Sequence, residues 1–121
     1  MANKVFIPKL TDDKTSFPNP LLADDKGLLA WGGCLSEERV LNAYLQGIFP
    51  WYNQSDPILW WSPNPRAVLY PAEIKISKSL KKNIKKYTLC FDKNFKDVIA
   101  FCQNNPKRKA QGTWIHQEIV D

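Results

Sequence analysis

The proline-rich stretch from residue 47 to residue 71 constrains the fold more than any other feature of the chain. It contains five prolines together with Trp51, Trp60 and Trp61. Proline fixes its own φ angle and disfavours the helical conformation of the residue before it, so the stretch cannot form one long helix or a central strand. We therefore predict a stiff, shaped loop. Rings on such a loop would suit a flat ligand, because they lose little entropy on contact; the alternative is that they fill the core of a small domain.

The length and composition are those of an ordinary globular chain. With 121 residues, 44% hydrophobic and 24% charged, the sequence fits one domain, or a small domain followed by part of another. It contains no apolar run of about 18 residues and no leader with a charged start and an apolar centre. We predict no membrane span and no signal peptide, and hence a cytoplasmic location.

Three cysteines, Cys34, Cys90 and Cys102, show neither the spacing nor the histidine neighbours of a zinc site, so the sequence predicts no metal. Their odd number argues against a disulfide framework. We expect all three to be small buried apolar residues.

The net charge of +5 is unevenly distributed along the chain. Residues 1–71 carry slightly more acidic than basic side chains, whereas basic side chains outnumber acidic ones about two to one in residues 72–121. An asymmetry of this size indicates a polyanionic partner on one side of the molecule.

The residues between the first glycines and the proline-rich stretch predict a strand and a helix. Residues 28–31 predict a short strand or turn, after which Gly32 and Gly33 let the backbone change direction. Ser36 is typical of a helix N-cap, and Gly47 of a helix stop. The predicted apolar face of this helix consists of Val40, Leu41, Tyr44 and Leu45.

Beyond the proline-rich stretch, the pattern predicts alternating strands and helices. We predict strands at residues 67–70 and 88–92, and a helix capped by Ser77 that runs to about Tyr87. A further helix capped by Asn94 should bury Phe95, Val98, Ile99 and Cys102, and a last one should begin near Thr113.

Lysines are concentrated in the helix that Ser77 is expected to cap. On a helix, Lys78, Lys82, Lys85 and Lys86 fall on and beside one face, away from the apolar stripe. Like charges at this spacing destabilise a helix, so an anion would stabilise it. The alternative is a solvated face that keeps the chain soluble.

Residues 27–69 resemble the leucyl/phenylalanyl-tRNA–protein transferase family of bacteria. The resemblance rests on GIFPW (residues 47–51), PILWWSP (57–63) and PRAVL (65–69), with GTWI at residues 112–115. It extends over the whole chain, although the family's proteins are roughly twice as long. One departure is Cys34, because the family usually has an acidic residue after the Gly-Gly pair.

The resemblance implies an α+β fold in which a small N-terminal domain, residues 1–62, precedes the first part of an acetyltransferase-like (GNAT-like) domain, residues 63–121. The implied enzyme moves leucine or phenylalanine, and also methionine, from aminoacyl-tRNA to an N-terminal lysine or arginine of acceptor proteins, which are then degraded. The reaction exchanges an ester for an amide and needs neither metal nor cofactor. This chain would be the N-terminal half, inactive alone, with no catalytic side chains of its own.

By the same resemblance, Tyr44, Trp51 and Trp114 line the pocket for the terminal adenosine and its aminoacyl group. Lys78, Lys82, Lys85 and Lys86 would bind tRNA phosphates. The sequence leaves the roles of two residues open. Arg66 could hold a phosphate or a carboxylate, and His116, the only histidine, has no assigned role. Trp60 and Trp61 are expected to be structural, because neighbours in an extended segment face opposite ways.

Two other classes of function fit the residues. A non-catalytic RNA-binding module would bind charged and uncharged tRNA alike. An aromatic, proline-rich module for protein partners would be indifferent to loss of the lysine charges.

Overall fold

A computed structural model describes residues 6–106 and 113–120. Two single-turn 3-10 helices occupy Pro20–Leu22 and Pro71–Glu73. The four strands and four α-helices of the described residues are β1 (Lys9–Leu10), β2 (Leu28–Gly32), α1 (Glu37–Leu45), β3 (Phe49–Pro50), β4 (Leu59–Trp61), α2 (Lys78–Ile84), α3 (Phe95–Gln103) and α4 (Gln117–Val120). The chain is therefore α+β, as predicted.

The strands form one mixed sheet in the order β1-β2-β4-β3. β1 pairs with β2 in parallel, and the other pairs are antiparallel. β4 lies between β2 and β3, so residues 47–71 are not the continuous loop that the sequence predicts but include a short internal strand. Pro57 and Pro63 lie outside Leu59–Trp61, which leaves the strand its donors, and Pro50 occupies the edge strand, where a missing N–H is tolerated.

The core lies between this sheet and α1. Its buried members are Leu29, Ala30, Ala43, Ile48 and Trp60. The Trp60 indole is fully buried and donates from Nε1 to the Gly32 carbonyl oxygen at 2.9 Å. The structural role predicted for Trp60 is thus confirmed.

The ends of α1 agree with the sequence. The Ser36 side chain accepts a hydrogen bond from the Arg39 backbone N–H at 3.4 Å, and Gly47 adopts φ +70° just after the helix. Both are the features that the sequence predicts for the start and the stop of this helix.

The predicted apolar face of α1 is correct for Val40, which packs half-buried against the core, and wrong for the other three residues. Leu41, Tyr44 and Leu45 are exposed, whereas Arg39 and Ala43 are buried. Arg39 is buried because it contacts the segment of residues 11–14. Its Nη2 donates to the carbonyl oxygens of Thr11 and Lys14. Hydrogen bonds to a distant segment thus bury a charged side chain on this helix, together with the apolar Val40 and Ala43.

Residues 67–70 and 88–92 are not strands, contrary to prediction. A lone strand is unstable without a partner, and the described part of the chain pairs neither segment with another. Phe95 and Val98 of α3 are exposed for the same lack of a packing partner, so their predicted burial is also wrong.

Helix α2 begins as predicted, with Ser77 accepting a hydrogen bond from the Leu80 N–H at 3.2 Å, but it ends at Ile84 rather than near Tyr87. Helix α4 begins at Gln117, later than the predicted start.

The predicted burial of the cysteines is wrong. All three thiols are free; Cys90 is exposed and the other two are half-buried, because the segments that carry them lie outside the core around Trp60. Separately, no helix in residues 6–106 and 113–120 is long and apolar enough to cross a membrane.

Candidate functional site

A cavity of about 480 Å³ opens beside the end of α1. It is walled by aromatic rings from three separated parts of the sequence, and its volume lies within the range of small-molecule sites. The lining residues are Tyr44, Gly47, Ile48, Phe49, Pro50, Trp51, Arg66 and Trp114.

The structure thus brings the three aromatic residues singled out from the sequence, Tyr44, Trp51 and Trp114, to one cavity. Each keeps a large accessible surface: 62%, 52% and 38% of the respective side chains is exposed. Exposed ring faces are available for stacking, whereas the buried ring of Trp60 is not.

Tyr44 reaches the cavity because α1 ends in a left-handed turn. The Gly47 N–H donates to the Tyr44 carbonyl oxygen at 3.1 Å, and the Ile48 N–H donates to the Ala43 carbonyl oxygen at 2.9 Å. This termination places the last turn of the helix next to β3 and its neighbour Trp51.

Trp51 is held on both sides of its backbone. Its N–H donates to the Leu59 carbonyl oxygen at 3.0 Å, and its own carbonyl oxygen accepts from Trp61 Nε1 at 2.6 Å. The Trp51 and Trp61 rings lie 6.0 Å apart at 58°. The Trp51 ring that is exposed in the cavity is therefore held in place by its contacts with Trp61.

Arg66 is the lining residue whose placement the sequence left open. It donates from Nη2 to the Gly47 carbonyl oxygen, and its guanidinium lies 5.9 Å from the Phe49 ring centroid. In the structure it therefore contacts a carbonyl and a ring rather than a carboxylate. Nothing in the local sequence pattern indicated this placement between a helix end and an aromatic ring.

Within the described part of the chain, the residues that line the cavity include no carboxylate, histidine or thiol. The polar side-chain groups among these residues are the Tyr44 phenol, the Arg66 guanidinium and the indole N–H groups of Trp51 and Trp114. Such a cavity can stack a flat group and hold negative charge.

The lysines singled out from the sequence lie elsewhere. Lys78 and Lys82 are on α2, Lys85 is its C-cap and Lys86 follows; all four are exposed. None lines the aromatic cavity. They form a basic surface that is free to meet an anion.

Together, the fold and this site define a small α+β protein with an aromatic, cation-edged cavity and a separate basic surface. The chain belongs to the leucyl/phenylalanyl-tRNA–protein transferase family. Residues 33–64 match the sequence model of the family's N-terminal domain, and residues 68–121 match that of the leucyl/phenylalanyl-tRNA protein transferase itself.

Curated relatives agree. The protein named leucyl/phenylalanyl-tRNA–protein transferase in Sulfurimonas denitrificans is 48% identical over 115 residues, covering 95% of this chain and 50% of the relative. Those of Legionella pneumophila strain Lens and Shewanella baltica strain OS155 are 51% and 54% identical, over 91% of this chain and 50% and 48% of their own lengths. The chain spans about half the length of the curated relatives it matches.

Proposed function

We propose that this chain supplies the tRNA-end-binding half of an aminoacyltransferase. The whole enzyme would move leucine, phenylalanine or methionine from aminoacyl-tRNA to an N-terminal lysine or arginine of an acceptor protein, marking it for degradation in the cytoplasm. The observation that carries the proposal is the meeting of Tyr44, Trp51 and Trp114 around one cavity.

The cavity suits the end of a charged tRNA. Unpaired bases are recognised by stacking on aromatic rings, worth about 1–3 kcal/mol per base. Arg66 lies at the edge of the cavity, where its charge can attract the adjoining phosphate. We infer that the terminal adenosine enters between the rings with its esterified ribose nearby.

The basic surface of α2 would hold the rest of the acceptor stem. Lys78, Lys82, Lys85 and Lys86 lie on or just after one short helix and are exposed to solvent. Phosphate contacts position a nucleic acid without reading its sequence. We propose that these contacts supply affinity, while the aromatic cavity supplies selectivity for the charged 3′ end.

The chemistry then needs little from this chain. The neutral α-amine of the acceptor attacks the ester carbonyl carbon, a C–N bond forms, and the C–O bond to the ribose breaks. The proton of the amine passes to the departing ribose oxygen. Orientation of the two reactants can contribute about 7–11 kcal/mol in favourable cases. The cavity binds and orients; we propose that side chains activating the amine belong to the part of the enzyme outside this chain.

We also propose that residues 63–121 begin a GNAT-like domain that the remaining part completes, with residues 1–62 as a separate small domain. The exposure of Val68, Leu69 and Phe101 supports this view, because these apolar side chains are available for packing against a further part of the domain.

Competition binding tests the proposal. Phenylalanyl-tRNA should bind more tightly than uncharged tRNA, and tRNA trimmed of its last nucleotide should bind most weakly. Equal binding of charged and uncharged tRNA would favour the non-catalytic RNA-binding module, and no binding of any tRNA would favour a protein-interaction module.

Activity is tested in a fusion of this chain to the remaining half of the Sulfurimonas denitrificans relative. The fusion should transfer labelled phenylalanine to a peptide with N-terminal lysine, and not to one with N-terminal glutamate, whereas the chain alone should transfer none. A folded fusion that binds charged tRNA but transfers nothing would contradict the assignment.

A further inference from the structure

Trp114 is brought to the cavity by a segment remote in sequence, and a specific set of contacts holds that segment. Ile115 is buried, and its carbonyl oxygen accepts from Gln103 Nε2 at 3.0 Å. The backbone also turns tightly, because the His116 N–H donates to the Trp114 carbonyl oxygen at 3.1 Å. These bonds shape the segment, and His116 and Glu118 both join it to the loop bearing Trp51.

His116 makes the first of these contacts. Its Nε2 lies 3.1 Å from the backbone carbonyl oxygen of Tyr52. A carbonyl oxygen only accepts, so this hydrogen bond assigns the proton to Nε2. The imidazole thereby ties the residue two places after Trp114 to the residue directly after Trp51.

Tyr52 makes the second contact. Its ring is buried, 5.6 Å from the His116 ring at 52°, and its hydroxyl donates to Glu118 Oε2 at 3.4 Å. Burial, then the charge of Glu118 and this hydrogen bond, raise the pKa of Tyr52, so the hydroxyl remains a donor well into alkaline solution. Tyr52, His116 and Glu118 also line a smaller recess of about 150 Å³.

The consecutive residues Trp51 and Tyr52 therefore link the positions of two rings in the aromatic cavity, those of Trp51 and Trp114. Trp51 exposes its ring in the cavity, and its neighbour Tyr52 buries its ring under the segment that carries Trp114. Any movement of residues 114–118 away from Tyr52 would change the separation of Trp51 and Trp114. No residue of this cluster lines the aromatic cavity itself.

We propose that Tyr52 and His116 are positioning residues: their contacts with each other and with Glu118 fix the gap between Trp51 and Trp114 for the aminoacyl-adenosine end of tRNA. This rests on the proposed function of the cavity, but the positioning itself is a property of the free chain.

The test is ¹⁹F NMR of the whole chain carrying 5-fluorotryptophan at its five tryptophans, with the Trp114 signal assigned by Trp114→Phe. His116→Leu removes the donor and should shift and broaden the Trp114 signal, whereas His116→Gln, whose amide nitrogen can replace Nε2, should leave it near its original position. Signals of Trp31 and Trp60 report that the fold is intact. Tyr87→Phe, at an exposed tyrosine, is the matched control for Tyr52→Phe.

Binding is measured in parallel with an amide-linked analogue of 3′-phenylalanyl-adenosine. His116→Leu should weaken binding about tenfold and His116→Gln no more than about twofold, as expected for loss or retention of one hydrogen bond. If His116→Leu unfolds the chain, Tyr52→Phe, which keeps the ring and loses only the hydroxyl, replaces it and should shift the Trp114 signal by a smaller amount.

An unchanged Trp114 signal in folded His116→Leu, or a His116→Gln variant as perturbed as His116→Leu, would overturn the positioning role. Failure of the parent chain to bind the analogue would overturn the proposed function instead, and the Trp114 signal would still decide the positioning.

Discussion

The guanidinium of Arg66 lies against Gly47: Nη2 donates to the Gly47 carbonyl oxygen, and Nη1 lies 2.8 Å from the point where a Cβ on residue 47 would be. The residue that ends α1 is therefore also in contact with Arg66, the cationic side chain among the described residues that line the cavity. Glycine at position 47 therefore meets two needs. It adopts a φ of +70°, which ends the helix, and it leaves room for the Arg66 guanidinium.

Gly47→Ala should therefore affect both stability and binding. The left-handed backbone costs alanine about 1–2 kcal/mol, and the new methyl group must displace the Arg66 guanidinium. Urea unfolding should show the loss of stability, and the aminoacyl-adenosine analogue should bind more weakly. Gly32→Ala, also at positive φ but outside the cavity, is the control: it should cost stability and leave binding by the folded fraction unchanged.

Adjacent tryptophans should have separable effects. Trp60→Phe leaves the Gly32 carbonyl oxygen without its buried donor and should cost about 1–3 kcal/mol of unfolding free energy. Trp61→Phe removes the hydrogen bond to the Trp51 carbonyl oxygen, at the half-exposed back of the cavity. It should cost less stability and weaken analogue binding more. Reversed effects in urea unfolding and calorimetric binding would contradict the assignment of Trp60 to the core and Trp61 to the support of Trp51.

The sequence correctly predicted the features of the fold that depend only on neighbouring residues. Ser36 and Gly47 mark the ends of α1 because a cap and a left-handed stop are decided within one turn of helix. The aromatic cavity could be anticipated only by resemblance, since nothing in the spacing of Trp51 and Trp114 requires them to meet.

The failures share a different cause. Arg39 is buried because two carbonyl oxygens from a distant segment receive its guanidinium, and no periodicity announces such a partner. Residues 67–70 have a strand-like composition, but a strand exists only with a neighbour, which none of the described residues supplies. Non-local hydrogen bonding, in each case, decides what the pattern leaves open.

The basic surface makes a prediction about salt. If the lysines of α2 contact phosphates, Lys82→Gln with Lys86→Gln should reduce the slope of log binding constant against log salt for tRNA by about 2. Lys93→Gln with Lys96→Gln changes the net charge equally, at lysines that are also exposed. That control should leave the slope nearly unchanged. Equal loss in both pairs would mean that tRNA responds to net charge alone and not to a defined site on α2.

Cys34 should react as a thiolate at lower pH than an ordinary cysteine. Hydrogen bonding from the Ser36 backbone N–H lowers the pKa of Cys34, with smaller contributions from the Ser36 hydroxyl and the Arg39 charge. In a Cys90→Ser, Cys102→Ser background, the pH midpoint of iodoacetamide alkylation should therefore be lower in the folded chain than in urea. Ser36→Ala should raise the midpoint only in part, because the backbone N–H remains.

The same shift fixes the sign of a stability effect. Between the folded and the unfolded pKa of Cys34, the unfolded chain binds more protons, so the unfolding free energy should rise with pH through that window. Below the folded pKa the contribution is lost, and Cys34→Ser should remove the slope altogether. A slope that persists in Cys34→Ser would assign the titration to another group.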